Sequence, residues 1–183
     1  QPVVLLNRQI RGTSSVVVDQ RSVADLSLEH LVGLGHRSVA YVAGPAHYWS
    51  STQRRSRIEA LAAAHHLDLH VIETEEATFE AGLGAADQVR ATPATAAVAF
   101  NDLLAIGVVH GVSAAGVAVP AKLSVVGCDG IDLSRMIDPP LTTVAAPIAA
   151  LAATAVALLA DRDRRSARTI SPTLVVGGTT MRP

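Results

Sequence analysis

Polar residues follow two apolar runs in the middle of the chain and could bind a small polar ligand. Asn101 and Asp102 come directly after the run 97–100, and Asp129 follows the run 123–126. The spacing of apolar residues between the two runs predicts a strand–helix–strand unit. In an open parallel sheet, ligands bind beyond the carboxyl ends of the strands. We therefore expect these amide and carboxylate groups to face one ligand.

Local chemistry allows a second interpretation of the same residues. Asn101 could cap the helix that follows it, and Asp129 could be a turn residue. Three further runs end in a similar way, at Asp19, at Gly44-Pro45 and at the polar segment 73–79. Five consecutive strand ends of this kind indicate the rim of a binding site along one edge of one sheet.

Arg54 is the cationic candidate for this rim. It lies in the segment YWSSTQRRSRIEAL, at the start of a predicted helix. Its planar guanidinium can donate parallel hydrogen bonds to neighbouring hydroxyls or to a carboxylate. Tyr48 and Trp49 beside it could stack on the apolar face of a sugar ring. Arg55 and Arg57 are better explained as a solvated helix face, because the apolar positions of the helix lie on the opposite side.

No set of residues has the pattern of a catalytic or metal site. His65, His66 and His70 cluster at a helix end, without the cysteines or spaced carboxylates of a zinc site. Ser50 and His47 lie close together without an acid that would orient the histidine. The sequence therefore predicts no enzyme, no metal and no cofactor.

Short apolar runs and longer helical patterns alternate along the chain and must position these groups. The predicted strands are residues 3–6, 15–18, 39–43, 69–72, 96–100, 123–126, 142–145 and 174–176. The predicted helices are 23–34, 51–66, 80–91, 103–115 and 148–160, with a short helical turn at 133–137. This alternation is typical of an α/β fold, a parallel sheet flanked by helices. The polar segment 161–172 is predicted to be a surface loop.

Composition excludes several classes of protein. The net charge is −1 and no large basic cluster occurs, so this chain alone is not expected to hold a nucleic-acid backbone. The single cysteine, Cys128, excludes an internal disulfide framework and fits a reducing cytoplasm. The longest apolar stretch, 148–160, is too short for a membrane span, and no secretory signal pattern occurs. We therefore predict a cytoplasmic protein with no membrane partner.

The motifs resemble those of one family, the effector-binding domain of LacI/GalR-type transcriptional regulators. The matching segments are PVVLLNR (2–8), SVVVDQ (15–20), EHLVGLGHRSVAYVAGP (29–45), TFEAG (78–82), FNDLLAIG (100–107), VPAKLSVVGCDGI (119–131), DPPLTTV (138–144) and SPTLVVGGTT (171–180). They extend along the whole chain. The resemblance implies a periplasmic-binding-protein-like fold of type I, in which two subdomains enclose a ligand cleft.

The same resemblance implies a set of binding residues and a kind of ligand. The expected ligand contacts are Asn7, Arg54, Asn101 and Asp129, with Asp19 nearby. The expected effector is a small molecule, usually a sugar, whose binding changes the affinity of the intact regulator for operator DNA. Cys128, Ala77 and the pair 145–146 depart from the usual family residues, so the resemblance does not identify the effector and leaves room for an atypical one.

The resemblance also implies how the chain is divided. Residues 19–145 and 173–183 are expected to form the second, C-terminal subdomain, nearly complete, and residues 1–18 and 146–172 a remnant of the first. The chain begins without Met and contains no helix-turn-helix, so we interpret it as truncated, with operator DNA bound only through a missing segment. A homodimer is expected, with Val112, Met136 and Ile137 of the segments 103–115 and 133–137 at its interface.

Two other functions are compatible with such a fold. A periplasmic sugar-binding protein of a transporter shares it, but the EHLVGLGH and PPLTTV segments favour the regulators. A small α/β enzyme would need a catalytic pair, which the sequence does not provide. The leading hypothesis is the ligand-sensing core of a DNA-binding transcriptional regulator.

Overall fold

A computed structural model describes residues 3–161 and 166–183, in which strands and helices alternate. The strands are β1 Val4–Leu6, β2 Ser14–Val18, β3 Ser38–Ala43, β4 Asp68–Glu73, β5 Ala96–Ala99, β6 Ser124–Asp129, β7 Thr142–Ala145, β8 Ala167–Ile170 and β9 Thr173–Val175. The helices are α1 Gln20–Leu34, α2 Trp49–Ala64, α3 Phe79–Ala91, α4 Asp102–Ala114 and α5 Ile148–Ala160, and a 3₁₀ helix spans Asp132–Arg135. The predicted α/β class is confirmed. No helix in the described ranges is long and apolar enough to cross a membrane.

The strands form two sheets. The large sheet has the order β4-β3-β5-β6-β7-β9, and all its neighbouring strands are parallel except the last pair. The small sheet has the order β1-β2-β8 and is parallel. Because β5 and β6 are parallel neighbours, Asn101 and Asp129 come to the same edge. Asp19 follows β2 of the small sheet, so our prediction of five strand ends along one sheet is wrong at that position.

Helices cover both faces of the large sheet. On one face α1 and α2 pack against β3, where Tyr41 is fully buried. On the other face α3 and α4 pack against the sheet, and Leu104 of α4 is fully buried in that contact. A third apolar cluster, which includes Val18, Val144 and Leu151, joins the two sheets with α5. Strands covered on both faces are mostly apolar, which explains why Val and Ala predominate in β3 and β5 and why β6 begins with a buried Ser-Val-Val segment.

Helices α3 and α4 approach each other closely because glycines lie where they meet. A Cβ atom on Gly107 would lie 2.2 Å from the Phe79 carbonyl oxygen. One on Gly82 would lie 2.3 Å from the Leu104 carbonyl oxygen. Neither position has room for any side chain, and this contact fixes α4, whose first turn carries the polar residues of the sheet edge.

Part of one predicted surface loop is a strand. β8 lies within the segment 161–172 and pairs in parallel with β2, which corrects the prediction; residues 162–165 of that segment lie outside the described residues. Three of its four side chains are exposed. At a sheet edge, backbone hydrogen bonds can hold a strand that has no apolar face, so the sequence carries no periodic signal for it.

Candidate ligand-binding site

A cavity of about 610 Å³ lies between the carboxyl edge of the large sheet and the small sheet. Residues after β1, β5 and β6 line it, together with the first turns of α1, α2 and α5. Four of the predicted site residues meet there, namely Asn7, Arg54, Asn101 and Asp129. Asp19 does not line the cavity.

Arg54 is buried in the cavity wall, with 4% of its surface exposed. Its Nε and Nη2 donate to Gln20 Oε1 over 3.2 and 2.6 Å, and its Nη1 donates to the carbonyl oxygen of Phe100. Its Cζ lies 4.7 Å from the centre of the Phe100 ring, within cation–π range. The guanidinium has more N–H donors than these contacts use, so one hydrogen on each Nη remains for a ligand.

Asp129 ends β6 with an unusual backbone conformation. Its φ of 114° lies in the region that favours glycine, and such strained residues concentrate at ligand sites. Loss of solvation by the surrounding protein raises the pKa of its carboxyl above the ordinary value, while the positive charge of Arg54 opposes that shift. Cys128 Sγ lies 3.7 Å from Oδ1. Oδ2 has no hydrogen-bond donor among the described residues, so it is available to a ligand.

Asp102 does not line the cavity, which corrects our expectation that it faces a ligand. It is fully buried. Its Oδ2 accepts from the backbone nitrogens of Gly130 and Ile131 over 2.8 and 2.9 Å, and its Oδ1 accepts from the Thr143 hydroxyl over 2.6 Å. Burial raises the pKa of Asp102 to about 6, although these three donors oppose the shift. Asp102 thus anchors the turn that presents Asp129.

Asn101 both caps α4 and lines the cavity. Its Oδ1 accepts from the backbone nitrogen of Leu104 over 2.9 Å, and its Nδ2 donates to the carbonyl oxygen of Ala77 over 2.9 Å. The capping interpretation is confirmed. The amide keeps a second lone pair and a second hydrogen, so its role toward a ligand stays a prediction.

Asn7 and Asp19 have different surroundings at the ends of β1 and β2. Asn7 has a φ of 50°, and its Oδ1 accepts from the backbone nitrogen of Val18 over 3.1 Å. Asp19 caps α1: its carboxylate accepts from the backbone nitrogens of Arg21 and Ser22 and from the Ser22 hydroxyl over 2.9–3.3 Å. Both oxygens of Asp19 are therefore used within the protein, away from the cavity.

Sequence reasoning missed Gln20 as a site residue. Gln20 is 6% exposed, lines the cavity and holds Arg54. No periodic or motif signal marks a glutamine in a helix's first turn. Ser50 also lines the cavity, as does Tyr48, whose ring centre lies 6.2 Å from that of Phe100. Trp49, which we expected beside a sugar, does not line it.

Apolar residues also line the cavity. Among them are Val18, Ala77, Cys128, Val144, Ala146 and Ile148. Burial raises the pKa of the Cys128 thiol to about 12, so this cysteine stays protonated and acts as a small apolar group. A cavity lined by both polar and apolar groups suits a ligand that has both hydroxyls and C–H groups.

Residues 28–180 match the sequence profile of the periplasmic binding protein-like domain, and this match takes in most of the chain. The chain belongs to the periplasmic binding protein-like domain family. Its α/β architecture, with parallel sheets flanked by helices, is that of the domain as LacI-type regulators carry it.

Three similar proteins are regulators. An uncharacterised HTH-type transcriptional regulator of Streptomyces limosus is 35% identical over an alignment of 193 positions, gaps included, and the alignment covers 98% of this chain and 54% of that protein. The repressor CytR of Escherichia coli K12 is 32% identical over 156 residues, which cover 81% of this chain and 45% of that protein. A LacI family regulator of Enterococcus faecium, solved with bound ribose, matches with a TM-score of 0.92 at 25% identity. The superposition covers 100% of this chain and 71% of the Enterococcus faecium chain. This periplasmic binding protein-like chain thus spans about half the length of the curated relatives.

Proposed function

We propose that this chain is the effector-binding core of a LacI-type transcriptional regulator and that its effector is a small neutral sugar. One observation carries the proposal: Arg54 and Asp129 line the same cavity, and neither forms an ion pair among the described residues. A hydroxyl group both accepts and donates a hydrogen bond. Two neighbouring hydroxyls can therefore accept from Arg54 and donate to Asp129 at once.

The charge and shape of the cavity favour a sugar over an anion. A phosphate or carboxylate ligand would meet the carboxylate of Asp129. The exposed sides of Tyr48 and Ile148, 43% and 64% accessible, offer apolar surface to the C–H face of a sugar ring. The ribose in the Enterococcus faecium relative supports a pentose as the first candidate.

The role in transcription rests on the relatives. They are HTH-type regulators about twice as long as this chain, so in the full-length protein we infer that the effector changes the affinity for operator DNA, in the cytoplasm and without catalysis. A periplasmic sugar-binding protein is not favoured, because the matched relatives are regulators.

The same proposal includes the division of the chain and its self-association. The presence of two sheets on either side of the cavity supports two subdomains, 1–18 with 146–172 and 19–145 with 173–183. The apolar side chains of Met136, 74% exposed, and Leu133, 43% exposed, support a homodimer contact there. We expected Val112 of α4 at the interface. It is fully buried in the apolar cluster that α3 and α4 form with the large sheet, so it is not part of the proposed contact.

Calorimetric titration of the full-length protein with D-ribose and a panel of neutral pentoses and hexoses tests the proposal. Loss of a charged hydrogen bond predicts about 10- to 150-fold weaker binding for Arg54→Ala and for Asp129→Ala. Arg90→Ala and Asp87→Ala, which remove an exposed ion pair on α3, are the matched controls and should bind normally. Unchanged affinity in both site variants, or tight binding only of an anion, would overturn the assignment.

A further inference from the structure

Gln20 lies where the chain passes from the small sheet to the large one. β2 of the small sheet ends at Val18, and α1, which packs on the large sheet, begins at Gln20. We propose that Gln20 is a positioning residue that sets the guanidinium of Arg54 in the cavity and ties it to this crossover. This inference rests on the proposed function, in which Arg54 binds the effector.

The contacts of Gln20 fix the plane of the guanidinium. A single oxygen, Gln20 Oε1, accepts from both Nε and Nη2 of Arg54, and the Phe100 carbonyl accepts from Nη1 on another side. With the Phe100 ring 4.7 Å from Cζ, rotation about the Nε–Cζ bond would break two of these contacts. The free hydrogens of both Nη atoms therefore keep a defined direction.

A neutral acceptor is suited to this task. A carboxylate at position 20 would form a buried ion pair and compensate the charge that a ligand must meet. Gln20 holds Arg54 through hydrogen bonds and leaves its charge unpaired among the described residues. The arrangement is the preorganisation that a binding site needs, because little side-chain freedom remains to be lost on binding.

The other end of Gln20 reaches the backbone of the crossover. Its Nε2 donates to the Val18 carbonyl oxygen over 3.2 Å, and the Val18 nitrogen donates to Asn7 Oδ1 over 3.1 Å. One peptide segment is thus held on both sides by residues that line the cavity. Hydrogen bonds link Arg54 to Gln20, Gln20 to the Val18 carbonyl and the Val18 nitrogen to Asn7, so the backbone of Val18 joins the two ends of this path. A ligand that displaces Arg54 therefore acts on the segment at which the two sheets connect.

Two substitutions separate the two ends of Gln20. Gln20→Met has a similar length and removes both contacts. Gln20→Glu keeps an acceptor for Arg54, but it replaces the donor to Val18 with an oxygen. Gln88→Met on the exposed side of α3 is the matched control.

The first measurement needs no ligand. In the full-length protein with ¹⁵N-labelled arginine, the Nη signals of Arg54, assigned by Arg54→Lys, should be resolved because rotation is hindered. They should average in Gln20→Met and stay resolved in Gln20→Glu and in Gln88→Met. Deuterium exchange of the segment 14–22 should be faster in both Gln20 variants than in the wild type. Identical arginine signals in the wild type and Gln20→Met, or unchanged exchange of that segment, would overturn the inference.

The second measurement uses D-ribose and the same sugar panel. Gln20→Met should weaken binding about tenfold, the effect of one misplaced charged hydrogen bond. In an Arg54→Ala background the same substitution should have no further effect, because Gln20 acts through Arg54. An equal loss in both backgrounds would show that Gln20 contacts the ligand directly or only stabilises the fold, and would overturn the inference. If no sugar binds the wild type, the proposed function fails, and the arginine signals still decide the role of Gln20.

Discussion

Asp102→Asn isolates the effect of a buried charge beneath the ligand site. The carboxylate is fully buried and accepts hydrogen bonds from two backbone nitrogens and from Thr143. An asparagine can keep all three contacts, since its oxygen can accept from both nitrogens and its amide can donate to the Thr143 hydroxyl. The substitution therefore removes the charge while it keeps the turn after β6.

The expected effect on stability depends on pH in a defined direction. Burial raises the pKa of Asp102 from 3.8 to about 6, so the native state binds more protons than the unfolded state between these values. The contribution of Asp102 is therefore largest below pH 3.8 and is lost as the pH rises towards 6. A shift of this size corresponds to about 3 kcal/mol in the free energy of unfolding. The asparagine variant has no such loss.

Urea unfolding of wild type and Asp102→Asn across this pH range measures the difference directly, because other titrations cancel between the two proteins. We expect the variant to gain about 2–3 kcal/mol relative to wild type from the acid to the neutral end. Asp102→Ala leaves two backbone nitrogens without acceptors and should be about 2–4 kcal/mol less stable than Asp102→Asn at every pH, since neither variant titrates at this position. If the difference in unfolding free energy between Asp102→Asn and wild type did not change with pH, or changed in the opposite direction, the three hydrogen bonds would balance or outweigh burial. Either result would refute the reasoning.

Three further predictions concern helix packing, a buried histidine and the proposed dimer. Gly107→Ala should lower the free energy of unfolding by about 2–4 kcal/mol in urea titrations, because its Cβ would lie 2.2 Å from the Phe79 carbonyl oxygen. The control Gly84→Ala, whose Cβ would have no atom of the described residues within 4 Å, should leave that free energy unchanged or raise it. Burial lowers the pKa of His36, so its contribution to stability is complete above pH 6.5 and falls as the pH drops below that value; unfolding of His36→Gln against pH should lack this dependence. Met136→Ser should weaken self-association of the full-length protein in sedimentation velocity, and an unchanged dimer constant would rule out this surface.

The fold and the position of the cavity could be predicted from the sequence, because both depend on strong local signals. The runs that became β3, β5 and β6 are mostly apolar and end at turn or polar residues. Parallel pairing then brings the ends of neighbouring strands together without further information. β8 escaped prediction because its side chains are mostly exposed and its stability comes from backbone pairing with β2.

The roles of the individual acids could not be predicted, because three similar aspartates follow strands and only their surroundings distinguish them. Asp19 meets the free backbone nitrogens of a helix start, and Asp102 meets those of a turn. A carboxylate near unpaired N–H groups binds them, because buried N–H groups must have an acceptor. The two backbone nitrogens that follow Asp129, those of Gly130 and Ile131, already donate to Asp102. Its Oδ2 is left without a protein donor among the described residues, and the only nearby strong cation, Arg54, is turned towards Gln20 and Phe100. The acid that we propose binds the ligand is thus the one whose oxygens accept no hydrogen bond from the backbone of the described residues, a property that depends on tertiary structure and is not visible in the sequence.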